Sequence, residues 1–206
     1  MVEYLIASKK IETSVFGAEA FRIRYRSHDL LGKPTESTGL VITPSVAGEE
    51  RKVLSWAHGT TGLGDAASPS AQPDPARELV TYFASGSSTQ IDYGIPGLQE
   101  FIDDGWIVVA TDYQGLGTPG VHQYTVNRTN AIDAVTIVHA AREMNVGAGK
   151  KFGVIGWSQG GGTAAATVEL EPSDYGDLVI VGTVCQSPGV PSMALKLPQY
   201  KQAMLR

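Results

Sequence analysis

The sequence predicts an α/β fold with a mostly parallel sheet, and three features predict it. Apolar runs at 52–57, 105–112, 151–156 and 178–185 have the unbroken hydrophobicity of strands covered on both faces. Helix-like stretches lie between them, and strand–helix–strand alternation in this order implies parallel strands. Two earlier segments, 21–26 and 37–43, suit an antiparallel ribbon at a sheet edge.

Taken in order, Phe21-Arg22-Ile23-Arg24-Tyr25-Arg26 alternates apolar and basic residues, as a half-exposed strand should. Residues 28–34 supply a turn, and 37–43 form the second strand of the ribbon, closed by Pro44. Helices are expected at 74–84, 95–104, 130–144 and 163–171. The third is the clearest, with Asn130 as its cap, Asp133 in its first turn and Gly147 just past its end. Pro172 stops the fourth. Residues 62–94 are rich in Gly, Ala, Ser and Pro, and read as a long excursion with one short helix, able to frame a binding site.

Composition narrows the function classes. The 206 residues are 42% hydrophobic and 18% charged, with a net charge of −5. That balance excludes a disordered chain and argues against nucleic acid or an acidic membrane as partner. The longest apolar run, Trp106-Ile107-Val108-Val109-Ala110, is far short of the ~20 residues that span a bilayer. The first ten residues lack the pattern of a secretory signal, so the expectation is a cytoplasmic location, or a secreted protein in a form that has lost its signal. A single cysteine, Cys185, rules out an internal disulfide and a Cys-based zinc site.

The chemistry concentrates in three turns that follow strands. Gly156-Trp157-Ser158-Gln159-Gly160 matches G-x-S-x-G, directly after one strand and before a helix. In that setting the motif makes a nucleophile elbow. The turn is so tight that the serine takes a strained backbone, and the flanking glycines keep side chains out of its way. Ser158 is the expected nucleophile, and the N–H of Gln159 an expected oxyanion donor. His58-Gly59-Thr60-Thr61-Gly62 follows the strand at 52–57, where the second oxyanion donor would sit, and Thr60 N–H is the candidate. Asp112-Tyr113-Gln114-Gly115-Leu116-Gly117 follows the strand at 106–111. An acid there lies near the ligand crevice of such sheets, or caps its own loop. His58, Asp112, Tyr113 and His122 are the substrate-pocket candidates.

With these segments in view the chain resembles the α/β-hydrolase superfamily, and within it the secretory lipase family of fungal and actinobacterial lipases and esterases. The resemblance runs from about residue 20 to 185, and is carried by residues 55–62, 111–117 and 156–162, with support from 25–29, Gly32 and 120–124. It implies a serine carboxylesterase or lipase that forms an acyl-enzyme on Ser158, acts on small-molecule esters or acylglycerols, and needs no metal or organic cofactor. Many secreted relatives carry a cysteine before the Pro-Ser that follows the His-Gly loop. Here that stretch is Ala66-Ala67-Ser68-Pro69-Ser70, which weakens the expectation of export.

One departure bears on catalysis. The superfamily order places acid and histidine after the serine, yet no histidine follows Ser158. All four, His28, His58, His122 and His139, lie upstream. Among them His122, in a loop on the active-site side, is the best placed of the four as a base, but is expected first as a pocket residue. The expectation is therefore the N-terminal part of a hydrolase domain over 1–185 and the start of a lid over 186–206, truncated before the last strands and lacking the triad acid and base. The strand at 178–185 would then be an apolar sheet edge. The alternatives are an inactive fragment that acts as a binding or assembly partner, and a thioesterase, acyltransferase or peptidase on the same scaffold.

Overall fold

A computed structural model describes residues 3–80 and 91–189. Seven strands form one sheet: β1 (Leu5–Ile11), β2 (Ala18–His28), β3 (Pro34–Pro44), β4 (Arg51–Ala57), β5 (Ile107–Thr111), β6 (Ala148–Trp157) and β7 (Val179–Gln186). Their order is β1-β2-β3-β5-β4-β6-β7. The pairs β1–β2, β2–β3 and β3–β5 are antiparallel, and β5–β4, β4–β6 and β6–β7 are parallel. The expected ribbon of β2 and β3 thus joins the parallel strands through β5.

Helices α1 (Leu98–Asp103), α2 (Asn127–Glu143), α3 (Gln159–Thr167) and the single turn α4 (Pro172–Tyr175) complete the described chain. Two apolar clusters cover the sheet. One joins α2 and α3 to β4, β5 and β6 around Val135, Val138, Phe152 and Ala164. The other packs α1 on the opposite face through Leu98, Ile102, Trp56 and Val108. β4, β5 and β6 are therefore covered on both sides, which explains their continuous apolar runs. No helix among the described residues is long and apolar enough to cross a membrane.

Several expectations need correction. Residues 74–80 are not helical: Leu79 N–H donates to Ile95 C=O and Ile95 N–H to Arg77 C=O, a short parallel bridge that ties this stretch to the residues just before α1. The rest of that expected helix lies outside the described residues. Helix α2 begins one turn early, with Val126 at the cap position, so Asn130 is a buried helix residue and not a cap. Asp133 consequently sits beyond the first turn and is fully buried. Helix α3 starts at Gln159 and ends at Thr167, shifted toward the serine. β7 is not covered on both faces: Val179, Val181 and Val184 are exposed. β1 was not anticipated, because its Ser8-Lys9-Lys10 centre is exposed and carries no amphipathic pattern. Only 186–189 of the segment expected to begin a lid fall within the described residues.

Candidate active site

The strand order reverses at β4, which has β5 on one side and β6 on the other. Loops at the carboxyl ends of strands beside such a reversal open into the ligand crevice. Ala57 at the end of β4 is in register with Gly156 near the end of β6, so the His58–Thr61 loop and the serine turn leave the sheet side by side.

Ser158 is the N-cap residue of α3, with φ 55° and ψ −113°. A non-glycine residue here is strained by about 1–3 kcal/mol, and holds only when its surroundings impose it. They do so on both sides. Ser158 N–H donates to Gln186 C=O at 3.0 Å, and Gly189 N–H donates to Ser158 C=O at 2.7 Å, so the end of β7 grips the turn. A Cβ on Gly156 would strike the Gly160 carbonyl, and one on Gly160 would strike the Ala57 carbonyl. The Ser158 hydroxyl caps no helix amide. Gln159 is the first residue of α3, where the N–H lacks an intrahelical acceptor and the helix dipole favours an anion.

In the neighbouring loop after β4, Thr60 is exposed, and its hydroxyl lies 3.1 Å from the Tyr124 hydroxyl. His58 is buried; Nδ1 lies 2.6 Å from Gly59 C=O and Nε2 3.3 Å from Asp112 C=O. Burial lowers its pKa most, against a rise from those carbonyls. Tyr113 has φ 68°, packs its ring 4.4 Å from that of His58, and donates its hydroxyl to His58 C=O at 3.1 Å. His122 is also buried; Nδ1 contacts Gln114 C=O at 3.1 Å and Nε2 contacts the Gln159 side-chain amide at 2.8 Å. A cavity of about 10 Å³, the size of one water, lies beside the loop, lined by Trp56, His58, Thr61, Leu79, Tyr93 and Trp157.

The structure therefore brings Ser158, Gln159, Thr60, His58, Tyr113 and His122 to one end of the sheet. Asp112 lies there too, but its carboxylate is turned into the protein. It accepts from Thr38 Oγ1 at 2.6 Å, Ser68 Oγ at 2.8 Å, Ser70 N–H at 2.8 Å and Ser70 Oγ at 2.5 Å. That is the loop-capping use of the acid, and it fastens residues 68–70 to the end of β5. Asp112→Ala is expected to cost about 2–4 kcal/mol in a urea titration, because it strands buried donors. A loss below about 0.5 kcal/mol would show that the clamp is idle.

A second buried acid escaped the sequence reading. Asp133 on α2 accepts from Ser27 Oγ at 2.5 Å, Ser37 Oγ at 3.0 Å and Gln114 N–H at 2.7 Å. It holds the Tyr113–Gln114 turn against the β2–β3 ribbon. The available signal was a lone acid within the apolar run 131–138. Burial raises its pKa from 3.8 to about 6, against the lowering effect of its three donors. Between those values the folded state binds more protons than the unfolded state, so this group makes stability fall as pH rises from about 4 to about 6. Asp133→Asn is expected to remove that slope, whatever constant offset the amide adds. Urea midpoints at pH 4.5 and 7 should change its stability relative to wild type by on the order of 2 kcal/mol in the variant's favour at the higher pH. An equal difference at both pH values would refute the assignment.

The remaining histidines lie elsewhere. His28 is 3.5 Å from Asp174, and His139 on α2 stacks on Tyr4 at 4.6 Å.

The secretory lipase family model matches residues 80–193, more than half of the chain. The chain belongs to the secretory lipase family. Solved structures agree with that fold. For this secretory lipase family member, the rice cell wall degrading esterase LipA from Xanthomonas oryzae superposes with a TM-score of 0.65 at 22% identity, over 89% of this chain and 50% of that one. Candida antarctica lipase A in its closed state gives 0.67 at 17% identity, over 87% and 40%. A hydrolase described as putative from Legionella pneumophila gives 0.63 at 19%, over 88% and 51%. The chain thus spans about half the length of these solved relatives, and all three identities establish the α/β-hydrolase fold alone. No curated protein matches the chain.

Proposed function

We propose that this family member serves carboxylic-ester hydrolysis through an acyl-enzyme on Ser158, with small-molecule esters or acylglycerols as substrates. The observation that carries the reading is the strained serine at φ 55°, seated between the end of β6 and the start of α3 beside the His-Gly loop. Ser158 Oγ attacks the ester carbonyl, and the Gln159 and Thr60 N–H groups receive the oxyanion. The alcohol leaves, and water then releases the acid. Activating the hydroxyl needs a base. His58 turns both ring nitrogens to backbone carbonyls, to one of which the neutral ring donates, His122 has its two nitrogens on Gln114 and Gln159, and His28 and His139 lie elsewhere, so in this reading the base comes from outside the described residues.

That same commitment of the histidines supports a second reading, a binding or assembly partner without turnover. A fluorophosphonate probe separates the two. Under the first reading the chain, alone or mixed with a matching C-terminal segment of the family, gains one adduct, mapped by peptide mass spectrometry to Ser158. No adduct, alone or after mixing with a matching C-terminal segment of the family, would sink the acyl-enzyme and leave the binding role.

A further inference from the structure

The buried His122 ring has a hydrogen-bond geometry that allows one arrangement of its protons. Nδ1 faces the Gln114 carbonyl at 3.1 Å, and a carbonyl can only accept. Nδ1 therefore carries the hydrogen, and in the neutral ring Nε2 is left with a lone pair. That lone pair meets the side-chain amide nitrogen of Gln159 at 2.8 Å, which donates to it. Gln159 is itself buried, and its other amide atom, Oε1, has no partner among the described residues. Its side-chain amide is thus held at one point, by the histidine.

We infer that His122 is a positioning residue: as the neutral Nδ1–H tautomer it fixes the side chain of Gln159, and through it the backbone N–H that follows Ser158. This rests on the acyl-enzyme reading for its purpose, and not for its geometry. The link joins two loops, since Gln114 belongs to the turn after β5 and Gln159 to the turn after β6. Tyr113 stands between the two site histidines, its ring 4.4 Å from His58 and 6.0 Å from His122. The groups facing the His122 ring are Tyr113, Tyr124 at 6.2 Å, and His58 beyond Tyr113. Asp112 and Asp133 turn their carboxylates to other donors. Burial holds the His122 pKa below its ordinary 6.5, which keeps the lone pair available. Protonation would place an N–H against the Gln159 NH₂. The amide would then have to rotate and present its unpartnered Oε1 instead.

The test uses the full chain labelled with ¹⁵N. His122 is expected to show the Nδ1–H pattern at pH 7, and the backbone and side-chain amide signals of Gln159 should follow the His122 titration. His122→Leu should displace the Gln159 backbone signal and slow phosphonate labelling of Ser158 by about tenfold, a fraction of the loss on deleting an oxyanion donor. His122→Gln, whose carbonyl can replace the Nε2 acceptor, should restore both. Gln159→Leu should move the His122 Nε2 resonance, and serves if His122→Leu fails to fold. An Nε2–H tautomer, or a Gln159 signal indifferent to His122 in these variants, would overturn the inference. The spectra decide it even where Ser158 takes no probe, a result that would count against the acyl-enzyme alone.

Discussion

Ser158→Ala is expected to lower hydrolysis of a short-chain p-nitrophenyl ester by about a thousandfold or more when the chain is mixed with a matching C-terminal segment of the family that supplies the base. In the proposed reaction this hydroxyl is the nucleophile, and removing it leaves only the proposed oxyanion donors and binding. A thousandfold corresponds to about 4 kcal/mol of barrier. The fold should not suffer. Alanine keeps the Cβ, so the strain at φ 55° is unchanged, and the lost hydroxyl caps no helix amide. Initial rates on matched ester, thioester and amide substrates, with thermal melts of both proteins, check this. Equal rates in variant and wild type in that mixture, with the wild type active above background, would remove Ser158 from the chemistry. A rate on thioesters or amides exceeding that on esters would redirect the substrate class while leaving the serine in place.

Gly160→Ala is expected to have the largest effect on stability. In the interior of an ordinary helix this change gains about 1 kcal/mol, because alanine loses less backbone entropy than glycine. Here the added carbon would strike the Ala57 carbonyl oxygen and lie 2.6 Å from that of His58. Both atoms are backbone at the end of β4, which is hydrogen-bonded to β5 and β6 and cannot yield. Overpacking against rigid backbone outweighs the propensity gain, for a net loss of about 3 kcal/mol or more in urea titration. Gly32→Ala is the comparison: its φ is +76° with nothing within 4 Å of the added carbon, so it should lose only the ~1–2 kcal/mol of a left-handed backbone. If Gly160→Ala proved the milder of the two, α3 would not be packed against β4 as described. The same displacement should move Ser158 away from the Thr60 loop, so activity and stability are expected to fall together.

The glycines at 160–162 also account for the gap between the helix that propensity predicts and the start of α3. Glycine is a poor helix former, so propensity starts the helix at Thr163. The structure starts it at Gln159, because the close approach of α3 to β4 demands residues without side chains. The start of α2 differs from its composition signal for a related reason. Asn130 has the composition of a cap, yet the chain enters the helix a turn earlier, where Asn127 Nδ2 donates to Gly189 C=O at 3.1 Å. At 74–80 the local composition suggested helix, and a pairing with the distant Ile95 prevailed. β1 is held by its ladder to β2 and by Glu143, whose carboxylate accepts the Tyr4 and Leu5 amides. None of these partners is near in sequence.

What the sequence determined by itself was whatever local geometry demands of adjacent residues. A buried strand needs an unbroken apolar run, and β4, β5 and β6 carry one each. A strand-to-helix reversal needs glycines around its serine, and that pattern marked Ser158 and Gln159 without any structure. Tertiary structure alone decided which way the polar groups face. Asp112 could have met a ligand or its own loop, and only the arrival of Thr38, Ser68 and Ser70 from other segments made it a clamp. His122 could have been a base or a pocket wall until Gln114 and Gln159 took its two nitrogens. Asp133 became a buried acid because β2 and β3 bring Ser27 and Ser37 to α2. The physical reason is the same each time: a polar side chain must find its partners when it is buried, and the partners come from chain segments brought close by the fold.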